Sequence, residues 1–126
     1  HNNLRTQPTM VLQIQIASDL HIEFYGDGKI PDDIIVPKAP VLALLGDIGL
    51  ACDDQLKQFL FLQASRFETV LFVAGNDEFY NHRSTFTVEE QLEWMKQVCG
   101  EKENLHFLER QPMEIEGVRI LGTSLW

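Results

Sequence analysis

Three short polar clusters carry the residue types that bind cations: Ser18-Asp19-Leu20-His21, Gly46-Asp47-Ile48-Gly49 and Gly75-Asn76-Asp77-Glu78. Asp19 and His21, two apart at the end of an alternating run, point the same way and can grip one cation together. Asp47 adds a carboxylate and Asn76 a neutral oxygen. Mixed oxygen and imidazole donors suit Mn, Fe or Zn better than Ca or Mg. A carboxylate shared by two ions roughly 3.5–4 Å apart is the usual arrangement for phosphate ester cleavage. The glycines allow sharp turns and let a substrate approach the backbone. Taken singly, each cluster is an ordinary turn, because Asp, Asn and Gly are favoured there. Three in order are harder to obtain from turns alone, since Asp19, Asp47 and Asn76 lie 28 and 29 residues apart, about one βαβ repeat each.

The elements that must position these clusters follow from the apolar periodicity. Val11–Ala17 alternates and reads as a strand, whereas Val41–Leu45 and Thr69–Ala74 are continuous apolar runs of the kind buried on both faces. Asp53 or Asp54 can cap a helix running to about Phe67, with Leu56, Phe59, Leu60 and Ala64 on one side. Thr87-Val88-Glu89-Glu90 is a capping-box pattern, opening a helix through about Cys99 with Gly100 as its stop. Its apolar stripe of Val88, Leu92, Met95 and Cys99 reads as core. Leu105–Glu109 is a further strand, and Met113–Ile115 with Val118–Leu121 forms a hairpin across Glu116-Gly117. Strands alternating with helices give an α/β fold with a largely parallel sheet. In such sheets ligands bind outside the carboxyl ends of the strands, where all three clusters then fall.

Composition narrows the classes. The chain has 126 residues, one domain's worth, with 44% hydrophobic and 23% charged residues, as in ordinary globular proteins. Ten Lys plus Arg against 19 Asp plus Glu leave a net charge of −9, which argues against non-specific nucleic-acid binding. No apolar run approaches the roughly 20 residues of a membrane span. Cys52 and Cys99 have no metal-like spacing and fit free thiols in a reducing compartment, hence a cytoplasmic location. Residues 1–9 read as an expression remnant or disordered tail, and 10–126 as the N-terminal part of a single domain. The apolar end Leu125-Trp126 is expected to be buried, and offers a contact for a second copy or a domain swap.

The ordered set Asp19-x-His21, Gly46-Asp47 and Gly75-Asn76-x-Glu78 resembles the first three motifs of the calcineurin-like metallophosphoesterases, over about Met10 to Trp126. The resemblance implies a β-sandwich with flanking helices, four layers in the order α/β/β/α, here incomplete towards the C-terminus. It implies that Asp19 and His21 hold a first metal, that Asp47 bridges two, and that Asn76 holds the second. It further implies hydrolysis of a phosphomonoester or phosphodiester by a hydroxide activated between two divalent ions. Gly122-Thr123-Ser124-Leu125-Trp126 is similar to a strand-end segment of small members of the family.

Two departures bear on activity. The family's third motif carries a catalytic His where this chain has Asp77, and a carboxylate beside two cations neither donates a proton readily nor welcomes a phosphate dianion. The family's later G-H and G-H-x-H motifs do not occur in the 126 residues. The expectation is therefore a metal-dependent phosphoesterase, weak or inactive in this form; the alternative is a non-catalytic scaffold of the same fold that binds proteins. Of the other histidines and charges, His82 and Arg83 read as exposed loop residues and His106 as a sheet-face residue. Phe79 and Tyr80 are expected to pack their loop down.

Overall fold

The computed structural model describes residues 11–26, 29–80 and 86–123. Four strands, β1 (Ile14–Ala17), β2 (Val41–Leu45), β3 (Thr69–Val73) and β4 (Leu105–Phe107), lie side by side in chain order, every neighbouring pair parallel. Parallel neighbours need crossovers. Helix α1 (Asp54–Arg66) joins β2 to β3 and helix α2 (Val88–Gly100) lies between β3 and β4. Between β1 and β2 the described residues are irregular except for a 3₁₀ turn at Ile22–Phe24. Strands β5 (Gln111–Ile115) and β6 (Val118–Gly122) then pair as an antiparallel hairpin across Glu116-Gly117.

Both helices start where their side chains can satisfy the first free N–H groups. The Asp53 carboxylate accepts from the Gln55 N–H at 3.1 Å. Thr87 and Glu90 form the full capping box, each side chain accepting the other's backbone N–H at 3.1 and 2.9 Å. On α1 the predicted face of Leu56, Phe59, Leu60 and Ala64 is buried. On α2 Met95 and Cys99 are buried with Val98 and Gln91, whereas Val88 in the first turn is exposed.

The two faces of the sheet build two separate cores. Leu42, Leu44, Val70 and Phe72 point to the helices and join Leu56, Leu60, Met95 and Val98. Val41, Ala43 and Leu71 alternate to the opposite face and meet Leu108, with Met113, Ile115 and Ile120 of the hairpin packed against them. Leu42 and Leu44 on one face and Val41 and Ala43 on the other are all buried, as in a strand covered on each side. The structure thus has the expected α/β class with two sheets and flanking helices; the described residues supply a helical layer, the parallel sheet and the hairpin layer.

Some boundaries differ from the sequence expectation for local reasons. β1 begins at Ile14 rather than Val11, because its register sets Ile14 opposite Val41, the first residue of β2. Its alternation also runs the other way: Ile14 and Ile16 pair in register with Val41 and Ala43, yet Ile16 is 65% exposed. Gln15 instead clasps the approach to β2, donating to the Val36 carbonyl at 2.9 Å and accepting from the Lys38 N–H at 2.7 Å. β4 ends at Phe107 and the chain turns at Arg110, whose φ of 62° lies in the left-handed region. Gly100 is the last helical residue of α2 rather than the residue after it. The readings at residues 1–9, Met10, His82, Arg83 and Ser124–Trp126 fall outside the described residues.

Candidate metal centre

The three clusters occupy one rim, beyond the carboxyl ends of β1, β2 and β3, because neighbouring parallel strands finish together. The pairing continues past the strands: Asp19 N–H donates to the Gly46 carbonyl at 3.0 Å, His21 N–H to Asp47 at 3.1 Å and Ile22 N–H to Ile48 at 2.8 Å. Asp19 and His21 are therefore loop residues after β1, and pleat alternation is not what brings their side chains together. Asp19, His21 and Asp47 all have left-handed backbones, with φ of 57°, 47° and 55°. Such conformations are unfavourable for most residues and concentrate where the surroundings hold a site in shape.

Two motif glycines let the β2 and β3 ends close on one another. A Cβ on Gly46, whose φ is +87°, would lie 2.9 Å from the Gly75 backbone, and a Cβ on Gly75 would lie 2.5 Å from Asp47 Oδ1. The third cluster completes the clamp through Glu78, which is fully buried. Its Oε1 accepts from Gly75 N–H at 2.7 Å and Asp47 N–H at 2.9 Å, and its Oε2 from Ile48 N–H at 2.6 Å and Gly49 N–H at 3.1 Å. Burial pushes the Glu78 carboxyl above its ordinary range, while the four amide donors favour the ionised form and oppose that rise. Asp77 N–H donates to Asp47 Oδ1 at 2.8 Å, fixing the carboxylate's direction.

Donor atoms of Asp19, His21 and Asp47 lie within 4.8 Å of one another. His21 Nε2 is 4.0 Å from Asp19 Oδ1, too far for a hydrogen bond. That separation is within an ångström of the ~3.4 Å between two donors that each lie ~2.1 Å from a shared tetrahedral ion. Two carboxylates and one imidazole also form a donor set suited to Mn, Fe or Zn. These residues fit a divalent cation. Asn76 is exposed at the start of the 3₁₀ turn Asp77–Phe79, and its side chain makes no capping bond.

The other ring nitrogen of His21 faces acids that spacing alone did not single out. Nδ1 lies 3.1 Å from Asp77 Oδ2 and 3.5 Å from Glu23 Oε2, and His21, Glu23 and Asp77 form a second close group. Burial lowers the His21 pKa, but the two carboxylates outweigh it and the net direction is up. Glu23 is only 12% exposed; burial and the adjacent Asp77 push it up to about 7. The signal for Glu23 was the run Asp19-x-His21-x-Glu23. Elsewhere, Phe79 packs against the helix-side core, Tyr80 is 51% exposed, and His106 is half-buried on β4, its pKa lowered by burial.

No family model matches the chain. It is 28% identical over 127 residues to an uncharacterized protein, L509, of Acanthamoeba polyphaga mimivirus, covering 90% of this chain and 44% of that one. Among solved structures it superposes on phosphopantetheinyl hydrolase (PptH) from Mycobacterium tuberculosis with a TM-score of 0.64 and 21% identity. That match covers 82% of this chain and 37% of the hydrolase. The shared feature is the fold. The chain has the α/β fold of that hydrolase, and spans about two fifths of the length of the proteins it matches. Among the described residues no helix is long and apolar enough to cross a membrane.

Proposed function

We propose that this chain forms the first part of a metal-dependent phosphoesterase centre. The observation that carries the reading is the convergence of Asp19, His21 and Asp47 at the carboxyl ends of adjacent parallel strands, with donor atoms within 4.8 Å of each other. Asp19 and His21 hold a first divalent ion, Asp47 is shared, and Asn76 holds a second; Mn, Fe or Zn suits the set. When bound, such ions supply Lewis acidity to a phosphoryl oxygen and acidify a water. The chain's part is to aim the donors. Glu78 ties the β2 and β3 rims together, Asp77 N–H orients Asp47, and Gly46 and Gly75 let the two strand ends approach closely. A phosphate ester is also the chemical class of the phosphopantetheinyl group in the structural neighbour's name.

Asp77 takes the place of a proton donor without serving as one, since its carboxylate is turned to His21. Hydrolysis by this form is accordingly slow. The scaffold alternative drew its motive from Asp77, and the Asp77–His21 pair gives that residue a use within a metal centre. A reducing compartment such as the cytoplasm suits the free Cys52 and Cys99, the latter buried with its thiol pushed up to about 12.

The test is calorimetric Mn²⁺ titration of the metal-free chain with elemental analysis, beside p-nitrophenyl phosphate hydrolysis. The expected result is saturable uptake that Asp19→Ala and Asp47→Ala each weaken by at least about tenfold, the low end of what even an outer partner is worth. Uptake that neither substitution changes would overturn the reading.

A further inference from the structure

The two ring nitrogens of His21 stand in unlike surroundings. Nε2 faces Asp19 at 4.0 Å, beyond hydrogen-bond reach, whereas Nδ1 meets Asp77 Oδ2 at hydrogen-bond distance, 3.1 Å. Glu23 Oε2 lies behind the same Nδ1 at the longer distance of 3.5 Å. A neutral imidazole carries its proton on one nitrogen and leaves a lone pair on the other, and the hydrogen bond made by the first decides which is free.

We propose that Asp77 is a positioning residue for His21: it accepts the Nδ1–H, fixes the ring's direction, and so presents the Nε2 lone pair towards Asp19 and Asp47. The inference rests on the metal reading above and assigns Asp77 a role within it. The residue at this position then acts on the ligand rather than on the substrate, as a carboxylate–histidine–metal relay in which the outer carboxylate sets tautomer and ligand basicity. The local structure supports this division. Asp77 sits in the 3₁₀ turn Asp77–Phe79, so its backbone N–H reaches Asp47 Oδ1 at 2.8 Å while its side chain reaches His21. One residue on the β3 rim thereby orients donors from the other two rims. Its side chain is only 20% exposed, so water competes poorly for the Nδ1–H.

The experiment compares the intact chain with Asp77→Ala and Asp77→Asn, with folding checked by circular dichroism. Both substitutions keep the backbone donor to Asp47. Asn keeps an oxygen acceptor for Nδ1–H, and Ala does not. The first readout needs no metal: long-range ¹H–¹⁵N spectra of the neutral His21 ring in metal-free protein. The intact chain and Asp77→Asn are expected to hold the proton on Nδ1, and Asp77→Ala to shift it towards Nε2. The second readout is Mn²⁺ affinity, expected to fall by about 10–100-fold in Asp77→Ala and to recover at least in part in Asp77→Asn. An unchanged tautomer in Asp77→Ala, or metal affinity that depends on Asp19 and Asp47 but not on Asp77, would overturn the proposal while leaving the metal site standing. Tautomer control by Asp77 in a chain that takes up no Mn²⁺ would instead overturn the metal reading and uphold the Asp77–His21 pairing.

Discussion

Replacing Glu78 with Gln is a near-isosteric change at the point where the β2 and β3 rims are joined. In the native chain the carboxylate accepts four backbone N–H groups at 2.6–3.1 Å, two on each oxygen. A Gln side chain turns one of those oxygens into an NH₂ group, so two amide donors face a donor in a site closed to solvent. Hydrogen bonds to a charged partner are each worth about 1.5–3 kcal/mol net, and a buried orphan donor costs about 1–3 kcal/mol. Two lost bonds therefore come to about 3–6 kcal/mol. The native carboxylate is itself costly to bury, as its raised pKa indicates, and relief of that cost returns part of the loss. The net expectation is a destabilisation of about 2–4 kcal/mol, a large share of the ~5–15 kcal/mol that holds a domain folded. For a chain of this size that corresponds to a drop in Tm of roughly 8–16 °C. Urea unfolding of the metal-free protein, followed by circular dichroism, measures it directly, since an unchanged m-value attributes the midpoint shift to stability. A loss below about 1 kcal/mol would refute the reasoning, because the four bonds would then carry little net energy. Mn²⁺ affinity should fall in the same variant, as Asp47 loses the anchor of its own backbone.

Two further outcomes follow from the same geometry. Gly75→Ala places a Cβ 2.5 Å from Asp47 Oδ1 and 2.9 Å from its backbone nitrogen; it should cost about 1–3 kcal/mol by overpacking and weaken Mn²⁺ binding through the displaced carboxylate, both read by unfolding and calorimetry. The metal-free protein should lose stability between pH 5 and pH 8. Glu23 is pushed up to about 7 in the folded chain, from an ordinary value of 4.5. The folded state thus binds this proton more tightly, so the contribution is complete below about pH 4.5 and is lost as pH rises through about 7. The raised His21 pKa has the same sign. The loss is of the order of 2–3 kcal/mol, and Glu23→Gln should reduce the slope of Tm against pH; a profile flat from pH 5 to pH 8 would count against the close grouping of His21, Glu23 and Asp77.

The legible parts of this protein were those that local chemistry controls. The apolar runs at 41–45 and 69–74 are long enough to span a sheet and too short for helices, and the strands fall on them at Val41–Leu45 and Thr69–Val73. Asp53 and the Thr87–Glu90 box mark helix starts through bonds made within three residues. Asp19, Asp47 and Asn76 each follow an apolar run, so strand order alone sufficed to put them on one rim. β1 was less legible, because its apolar residues alternate as in a buried strand while, among the described residues, Ile14 and Ile16 are left exposed.

What the sequence by itself determined is the list of elements, the rim on which the polar clusters fall, and the donor types that gather there. Those follow from propensity, capping and the 28- and 29-residue spacing, all short-range properties of the chain. What only the tertiary structure decided is how the donors are used. Glu78 enters in sequence only as the last residue of the third motif, with no role attached, yet contacts with residues 29–31 positions away make it the clamp between two strands. Asp77 reads as a lost catalytic group, yet it lies 3.1 Å from a histidine 56 residues earlier. Glu23 continues the Asp19-x-His21 spacing in sequence, but only burial and a neighbouring carboxylate raise its pKa. Each of these roles depends on distance and desolvation between segments far apart in the chain, and those exist only once the sheet has brought its strand ends together.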